Sequence, residues 1–234
     1  MTATPGGHAL VIGDGDAPTR VQLDLTWPGW DRDVSLVVAA DGGARLAEAL
    51  GLTIDRWVGD ADSLPREDVE RLAAAGVATR LVPTAKDESD LELAVADAAD
   101  SGAAEITVLG ALGGDRLDHE LANIFLLGHP SLAGRQVRLL GASTRVSLVE
   151  APDVAGEPVT AAFEGRRGDL VSLLPLSPAV EGITTSGLAY ALSDEQLVLG
   201  PARGLSNVRT QPSATVTVRA GRLLVVETPA NLGS

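Results

Sequence analysis

The sequence of 234 residues contains no cysteine. Disulfide bonds, thiolate nucleophiles and metal sites with cysteine ligands are therefore excluded, and the composition fits a reducing compartment, so we expect the cytoplasm. Long apolar runs are also missing, because no uninterrupted stretch approaches the ~18–20 residues that a membrane-spanning helix needs. The segment from Met1 to His8 has no basic region followed by an apolar stretch. We expect a chain that is neither exported nor embedded in a membrane.

Positive charge is scarce as well. The chain has 18 basic and 32 acidic residues, which gives a formal net charge of −14 at pH 7. Such a surface repels phosphate backbones, so nucleic acid is not expected as a partner. Lys86 is the only lysine, whereas every other basic residue that carries a permanent charge is arginine. Because the composition favours arginine so strongly, the single lysine is a candidate functional residue.

The first part of the chain, from residue 8 to about 148, alternates short β-branched runs with helix-length segments. This alternation is typical of parallel βαβ units. The predicted strands are His8–Ile12, Val34–Ala40, Arg56–Val58, Thr79–Val82, Glu105–Leu109 and Gln136–Leu140. The predicted helices are Gly43–Leu50, Pro65–Ala75, Ser89–Asp100 and Asp118–Leu127, with a glycine soon after each end. Ser63 is the expected N-cap of the helix at Pro65.

The second part of the chain, after Ala151-Pro152, has short apolar runs about ten residues apart, separated by Gly, Pro or Ser. This spacing predicts an antiparallel sandwich or barrel. The runs are Val159–Phe163, Leu170–Leu174, Ala179–Thr184, Leu188–Leu192, Gln196–Leu199, Ala214–Arg219 and Arg222–Glu227. The sequence thus predicts a parallel-sheet α/β domain over residues 1–150 and an antiparallel β-sandwich domain over residues 151–234.

Polar clusters follow four of the predicted strands. They are Asp41-Gly42-Gly43, Gly59-Asp60-Ala61-Asp62-Ser63, Lys86-Asp87-Glu88-Ser89-Asp90 and Gly113-Gly114-Asp115-Arg116-Leu117-Asp118-His119. Because the carboxyl ends of parallel strands open on one edge of a sheet, where ligands of such folds bind, we expect these clusters to converge.

Converging carboxylates either raise each other's pKa or bind a cation. Oxygen ligands without cysteine favour a hard divalent ion, and Mg²⁺, which binds carboxylates together with substrate phosphates, fits best. The neighbouring glycines allow phosphates to approach backbone N–H groups, and Lys86 and Arg116 would offset phosphate charge. The sequence has neither a Walker motif nor a complete dinucleotide fingerprint, since Gly13-Asp14-Gly15 lacks the third glycine.

Each cluster taken alone also has a purely structural interpretation. Asp60 and Asp62 are common residue types in turns and caps, and Asp87 and Asp90 favour the amino terminus of a helix. Tyr190, the only tyrosine, fits the core of a sandwich as well as a ligand platform. The occurrence of four such clusters at strand ends favours the functional interpretation.

The motifs, in their residues and in their order along the chain, resemble those of the thiamine pyrophosphokinase family. The matching segments are Ala40-Asp41-Gly42-Gly43-Ala44, Gly59-Asp60-x-Asp62-Ser63-Leu64, Lys86-Asp87-x-Ser89-Asp90-Leu91-Glu92, Gly110 to Asn123, Gly182-Ile183-Thr184-Thr185-x-Gly187-Leu188-x-Tyr190 and Gly204-Leu205-Ser206-Asn207. The resemblance covers most of the chain, roughly residues 34–226. No single motif is decisive, but their common order is specific.

The resemblance implies an amino-terminal ATP-binding α/β domain, a carboxy-terminal thiamine-binding β-sandwich and a homodimer that holds thiamine between subunits. It also implies transfer of the diphosphoryl group of ATP to the hydroxyethyl oxygen of thiamine, with AMP released. The implied Mg²⁺ ligands are Asp60, Asp62 and Asp90, while Arg116 and Asp118 are assigned to the nucleotide phosphates or the metal shell. The ATP site is assigned Asp41, Gly42, Gly43, Ser63, Lys86, Asp87 and Ser89, and the thiamine site Ser206 and Asn207.

The aromatic rings of thiamine need an apolar or aromatic wall, for which Tyr190 and Trp57 are the candidates. Two other functions stay open at this point. One is a diphosphokinase for another small alcohol such as a hydroxymethylpterin. The other is a nonenzymatic module that binds Mg-ATP, which predicts binding without production of AMP.

Overall fold

The computed structural model describes residues 6–152 and 156–230. The chain divides into two compact units, Met1–Ala142 and Ser143–Ser234. Segments 1–5, 153–155 and 231–234, which the two predicted domains include, lie outside the described residues. The division of the chain into two domains near residue 150 stays a prediction. None of the helices in the described part of the chain is long and apolar enough to cross a membrane.

A parallel sheet forms the centre of the first unit. Its strands are β1 (His8–Ile12), β2 (Val34–Ala40), β3 (Arg56–Gly59), β4 (Ala78–Leu81), β5 (Glu105–Leu109) and β6 (Gln136–Leu140), in the order β6-β5-β1-β2-β3-β4. Strand β1 is buried along its whole length, as expected for a parallel strand that is covered on both faces. The chain runs outward from β1 to β4 and returns to β5 on the other side of β1. The carboxyl ends of β1 and β5 therefore form a switch point, where ligands bind in such folds.

The helices of this unit are α1 (Arg20–Thr26), α2 (Gly43–Ala49), α3 (Arg66–Ala74), α4 (Asp90–Asp100) and α5 (Leu117–Phe125), with short 3₁₀ turns at Leu126–Gly128 and Pro130–Leu132. Helix α1 was not predicted. It spans only two turns and begins with a capping box, in which Thr19 and Gln22 satisfy each other's backbone N–H groups. Trp27 and Trp30 follow it and pack in the core.

Two helix starts bear on the candidate site. The Oγ atom of Ser89 accepts a hydrogen bond from the Glu92 N–H at 3.1 Å, so Ser89 caps α4 and Asp90 lies in its first turn. The prediction that Ser63 caps α3 is wrong, because the N-cap is Pro65. Ser63 instead donates its N–H to the Asp41 carboxylate at 3.1 Å.

The second unit consists of two antiparallel sheets. The strands are β7 (Arg145–Ala151), β8 (Val159–Glu164), β9 (Leu170–Pro175), β10 (Ala179–Ser186), β11 (Glu195–Val198), β12 (Asn207–Val208), β13 (Ser213–Val218) and β14 (Gly221–Thr228). One sheet has the order β12-β9-β14-β7 and the other β11-β10-β13-β8. Buried residues of both sheets form a common core, so the predicted sandwich is confirmed.

Three details of the second unit differ from the prediction, the first being the short strand β12 at Asn207–Val208, which was not predicted. Strand β7 was not predicted, although its alternating pattern of buried and less buried residues is typical of a sheet with one covered face. The run Leu188–Leu192 does not form a strand. Leu188 makes an isolated bridge with Arg209, and the chain bends at Ala189 and Tyr190.

Candidate active site

The loops after β2 and β3 bring three aspartates together. Asp41 follows β2 directly, and Asp60 and Asp62 follow β3. Each residue offers one carboxylate oxygen, and these three oxygens all lie within 4.8 Å of one another. Asp41 is buried, Asp60 is half-buried and Asp62 is exposed. The carboxylates thus lead from the protein interior to the surface.

Hydrogen bonds from the neighbouring strand hold Asp41 in place. Its N–H donates to the Val58 carbonyl at 2.8 Å, and its own carbonyl accepts from the Trp57 indole at 2.9 Å. Its φ of 41° lies in the left-handed region, which aspartate tolerates better than most residues. Trp57 is fully buried in this arrangement. It therefore cannot form the wall of a ligand site that the sequence suggested.

A tight turn presents Asp60 and Asp62 on the same side. The Oδ1 atom of Asp60 accepts the N–H of Asp62 at 3.1 Å, and Ala61 between them has a φ of 63°. The Ser63 hydroxyl donates to Oδ1 of Asp62 at 3.0 Å. The structural interpretation of Asp60 as a turn residue is therefore right for one of its oxygens. The other oxygen, Oδ2, faces the Lys86 ammonium at 3.6 Å.

The three carboxylates differ in their electrostatic environment. Burial raises the pKa of Asp41, and the neighbouring Asp62 carboxyl adds to this rise. The hydrogen bond from the Ser63 hydroxyl lowers the pKa of Asp62. The Oδ1 atom of Asp41 is buried and has no hydrogen-bond partner among the described residues. A buried carboxylate oxygen without a partner is costly, and a cation would remove this cost.

Lys86 links Asp90 to the same cluster. Its Nζ atom lies 3.0 Å from Oδ1 of Asp90 and 3.6 Å from Oδ2 of Asp60. Burial lowers the pKa of Lys86, but the hydrogen bond and attraction of Asp90, followed by those of Asp60, outweigh it, so the pKa is raised overall. The ammonium group is therefore charged at neutral pH.

Other residues predicted for the ATP site have structural roles. Gly42 and Gly43 begin α2, and a Cβ atom on Gly43 would lie 2.1 Å from the Ile12 carbonyl oxygen. Glycine at this position is therefore required for close packing of the backbone. Ser89 is a helix cap, and Asp87 is exposed. Their roles in ATP binding stay predictions.

The sequence analysis missed two acidic residues of the loop after β1. A Cβ atom on Gly42 would lie 2.2 Å from Oδ2 of Asp14, and one on Gly113 would lie 2.2 Å from Oδ2 of Asp16. Both aspartates thus reach the glycines that follow other strands. The segment Gly13–Asp16 comes directly after β1, so the criterion used for the other clusters would have found it.

Arg116 and Asp118 form an exposed ion pair at the start of α5. The guanidinium donates from Nε to Oδ1 at 2.9 Å and from Nη2 to Oδ2 at 2.6 Å. Because the carboxylate accepts both hydrogen bonds, the pKa of Asp118 is lowered to about 2. Both charged groups are exposed to solvent, which is consistent with contact to a bound nucleotide.

We expect the Asp118 carboxyl to titrate near 2 in the intact protein. In an Arg116→Gln variant the two charge-assisted hydrogen bonds are lost, and the pKa of Asp118 rises toward its ordinary value of 3.8. NMR titration of the side-chain carboxyl carbon measures both values. An equal pKa in the two proteins would contradict the pairing, and Arg66→Gln, at an exposed position of α3, is the control.

The residues predicted for thiamine binding lie together in the second unit. The side chain of Asn207 accepts the Tyr190 N–H at 2.9 Å and donates to the Tyr190 carbonyl at 2.7 Å. The Tyr190 side chain is 71% exposed. Ser206 is also exposed, with a φ of 56°, and its N–H donates to the Ser172 hydroxyl at 3.1 Å. Asn207 therefore positions Tyr190, whereas Ser206 and Tyr190 are free to contact a ligand.

Comparison with known families assigns both units. The model "Thiamin pyrophosphokinase, catalytic domain" matches residues 30–139, and the model "Thiamin pyrophosphokinase, vitamin B1 binding domain" matches residues 161–223. Together these two models match well over half of the chain. The chain belongs to the thiamin pyrophosphokinase family. Members of this family are transferases that use ATP, so the chain is an enzyme of this class.

Relatives of the thiamin pyrophosphokinase family match nearly the whole chain. A thiamine pyrophosphokinase of Bacillus subtilis is 26% identical over 209 residues, which cover 89% of this chain and 94% of the relative. The crystal structure of thiamine pyrophosphokinase from B. subtilis has a TM-score of 0.79 at 23% identity and covers 96% of this chain and 100% of its own. That from Geobacillus thermodenitrificans has a TM-score of 0.77 at 27% identity, with 96% and 99% covered.

The two family models separate the candidate residues into two groups. The acidic cluster, Lys86 and the Arg116–Asp118 pair all lie in the segment that the catalytic-domain model matches. Tyr190, Ser206 and Asn207 lie in the segment that the vitamin B1 binding model matches. The assignment of ATP to the first unit and of thiamine to the second stays a prediction.

Proposed function

We propose that this chain transfers the diphosphoryl group of ATP to the hydroxyethyl oxygen of thiamine, which yields thiamine diphosphate and AMP. The observation that carries the proposal is the cluster of three carboxylate oxygens within 4.8 Å beside a charged lysine, in the segment matched by the catalytic-domain model. Such an arrangement suits phosphoryl chemistry, in which catalysis consists mostly of positioning and of stabilising charge.

Mg²⁺ is the metal that these residues fit best. The donor set consists of oxygen atoms only, and the buried Oδ1 atom of Asp41 lacks a partner among the described residues. We propose that Asp60 and Asp62 hold the ion and that Asp41 contributes a further oxygen. When bound, Mg²⁺ would neutralise charge on the phosphate oxygens.

Asp90, the remaining predicted ligand, is paired with Lys86 in the structure. We propose that Asp90 also becomes a metal ligand when ATP binds. A triphosphate that draws the Lys86 ammonium toward its own oxygens would free the Asp90 carboxylate for the same ion. The lysine would then stabilise the charge of the transferred group, together with Arg116. A carboxylate of the cluster would accept the proton of the attacking hydroxyl.

Thiamine recognition is proposed for the second unit. Thiamine carries a positive thiazolium ring and a pyrimidine ring, and the exposed ring of Tyr190 offers a face for either one. The hydroxyl of the exposed residue Ser206 supplies a donor and an acceptor. The net charge of −14 favours approach of a cationic substrate.

The test is to incubate the protein with ATP, Mg²⁺ and thiamine and to separate the products by chromatography. We expect AMP and thiamine diphosphate in equal amounts, and neither product when thiamine is omitted. Formation of ADP or free phosphate would contradict diphosphoryl transfer. Binding of ATP without AMP production would favour a nonenzymatic module, and AMP production with a hydroxymethylpterin alone would favour a different acceptor.

The homodimer and the cytoplasmic location stay predictions from the sequence and the family resemblance. Light scattering of the active protein measures the oligomeric state directly. A fully active monomer would contradict a site shared between subunits.

A further inference from the structure

A cluster of buried ionic groups lies in the second unit, in addition to the acidic cluster of the first. Glu227 on β14 pairs with two arginines. Its Oε1 atom lies 2.6 Å from Nη2 of Arg209, and its Oε2 atom lies 2.6 Å from Nε of Arg145. Arg209 is 1% exposed and Glu227 is 3% exposed. We call these three residues the arginine–glutamate triad.

The guanidinium of Arg209 is fixed by groups from three segments. Its Nη2 atom donates to Glu227. Its Nη1 atom donates to the Phe163 carbonyl at 2.6 Å and to the Pro212 carbonyl at 3.2 Å. A Cβ atom on Gly165 would lie 2.7 Å from Nε of Arg209, so the backbone closes over the side chain. The planar group therefore has one position available to it.

The backbone of Arg209 joins two turns. Its N–H donates to the Asp169 carbonyl at 2.8 Å, and its carbonyl accepts the Gly168 N–H at 2.8 Å. On the other side, the Thr210 N–H donates to the Gly187 carbonyl at 2.8 Å. The segment that contains Arg209 is thus held between the turn at Gly168 and the turn that leads to Tyr190.

This segment carries the residues proposed for thiamine. Asn207 lies two positions before Arg209 and holds both backbone groups of Tyr190. The Val208 carbonyl accepts the Ala189 N–H at 2.8 Å. A displacement of Arg209 would therefore move Ser206, Asn207 and Tyr190 together.

We propose that Arg209 is a positioning residue for thiamine. Its buried guanidinium sets the location of the segment that presents Ser206 and, through Asn207, of the Tyr190 ring. The proposal rests on the function proposed above, because it assumes that these residues bind thiamine. It concerns binding of the acceptor only, since Arg209 lies in the segment that carries the residues proposed for thiamine.

Stability by itself is a weak reason for this triad. Burying charges is costly, and well-packed apolar residues often stabilise a protein as much as a buried ion pair does. A forked donor that must reach a carboxylate and two carbonyls defines a position more precisely than an apolar side chain does. Precise placement has value where a misplacement of about 1 Å can reduce catalytic efficiency by up to ~100-fold.

The test compares Arg209→Lys with Arg145→Lys. Both variants keep the positive charge beside Glu227 and lose the forked geometry, but only Arg209 lies in the segment that carries Asn207. We expect Arg209→Lys to raise the KM for thiamine at least ~10-fold while the KM for ATP and kcat change by less than about twofold. We expect Arg145→Lys to leave the KM for thiamine within about twofold of the unmodified protein, whatever its effect on Tm.

An unchanged KM for thiamine in Arg209→Lys, or an equal rise in Arg145→Lys, would overturn the proposal and leave the proposed function intact. If the unmodified protein makes no thiamine diphosphate, the proposed function fails and this inference fails with it. Hydrogen exchange of the unmodified protein provides a test that does not depend on the folding of a variant. We expect the amides of Tyr190, Arg209 and Thr210 to exchange as slowly as those of β14, and rapid exchange would overturn the anchoring.

Discussion

Replacing Asp60 with asparagine lowers the turnover number at least ~100-fold with little effect on the fold. The Oδ1 atom of Asp60 accepts the Asp62 N–H, and an asparagine oxygen accepts the same hydrogen bond, so the turn is preserved. What is lost is the negative charge, which faces the Lys86 ammonium at 3.6 Å and is proposed to hold Mg²⁺. The variant therefore loses activity because charge is no longer stabilised, while the packing of the fold is unchanged.

The measurement is kcat for AMP formation at saturating ATP, Mg²⁺ and thiamine, together with a thermal melt of each protein. Asp100→Asn is a matched control, because Asp100 is an exposed carboxylate at the end of α4 in the same unit. We expect the control to keep the turnover of the unmodified protein. Undiminished turnover of Asp60→Asn would remove Asp60 from the proposed metal site.

Replacing Asp41 with asparagine raises the Tm of the metal-free protein at pH 7 and abolishes most of its activity. Asp41 is 5% exposed, and its Oδ1 atom lacks a hydrogen-bond partner within the described part of the chain. An asparagine removes the buried charge and its repulsion of Asp62, while its oxygen still accepts the Ser63 N–H. The turnover falls by roughly 100-fold, because the proposed metal loses an oxygen donor of full charge.

The pH dependence of this gain in stability has a defined sign. The folded-state pKa of Asp41 is raised above the ordinary value of 3.8, so the unmodified protein is most stable with respect to this group below that value. It loses this stability as the pH rises through the folded-state pKa. The difference in Tm between Asp41→Asn and the unmodified protein is therefore largest at neutral pH and disappears as the pH falls below 3.8.

Thermal melts in EDTA and in excess Mg²⁺ measure both effects. Asp62→Asn is the control for neutralising a carboxylate of the same cluster. The pKa of Asp62 is lowered by the Ser63 hydroxyl, so its charge is favoured in the fold and its removal brings no gain in Tm. A lower Tm of Asp41→Asn in EDTA, combined with unreduced stabilisation by Mg²⁺, would show that Asp41 is an ordinary structural residue.

Much of the fold was predictable because its elements are encoded locally. Strands such as His8–Ile12 and Glu105–Leu109 were predicted at their observed bounds, since short runs of apolar and β-branched residues suit a sheet covered on both faces. Helix α1 was missed, because two turns with a capping box give too few periodic positions to detect. The run Leu188–Leu192 has strand-like composition, but its backbone is used by the contacts around Arg209.

The sequence predicts which loops form the candidate site, but it does not predict the contacts between individual atoms. The carboxyl edge of a parallel sheet brings Asp41, Asp60 and Asp62 together whatever the side-chain details are. The ion pair of Lys86 with Asp90 follows from the first turn of α4, whose start depends on the Ser89 cap. Distances of 3 to 4 Å between loops are set by the packing of strands far apart in the sequence.

The sequence by itself determined the two architectures, the strand ends at which the acidic residues lie, and the family. These depend on periodicity and on motifs, which are properties of neighbouring residues. Only the tertiary structure decided that Trp57 is buried beneath Asp41, that Asp14 and Asp16 reach the same edge, and that Arg209 anchors the segment of Asn207. The physical reason is that burial and long-range hydrogen bonds arise from contacts between distant segments, and a local pattern does not specify which segments meet.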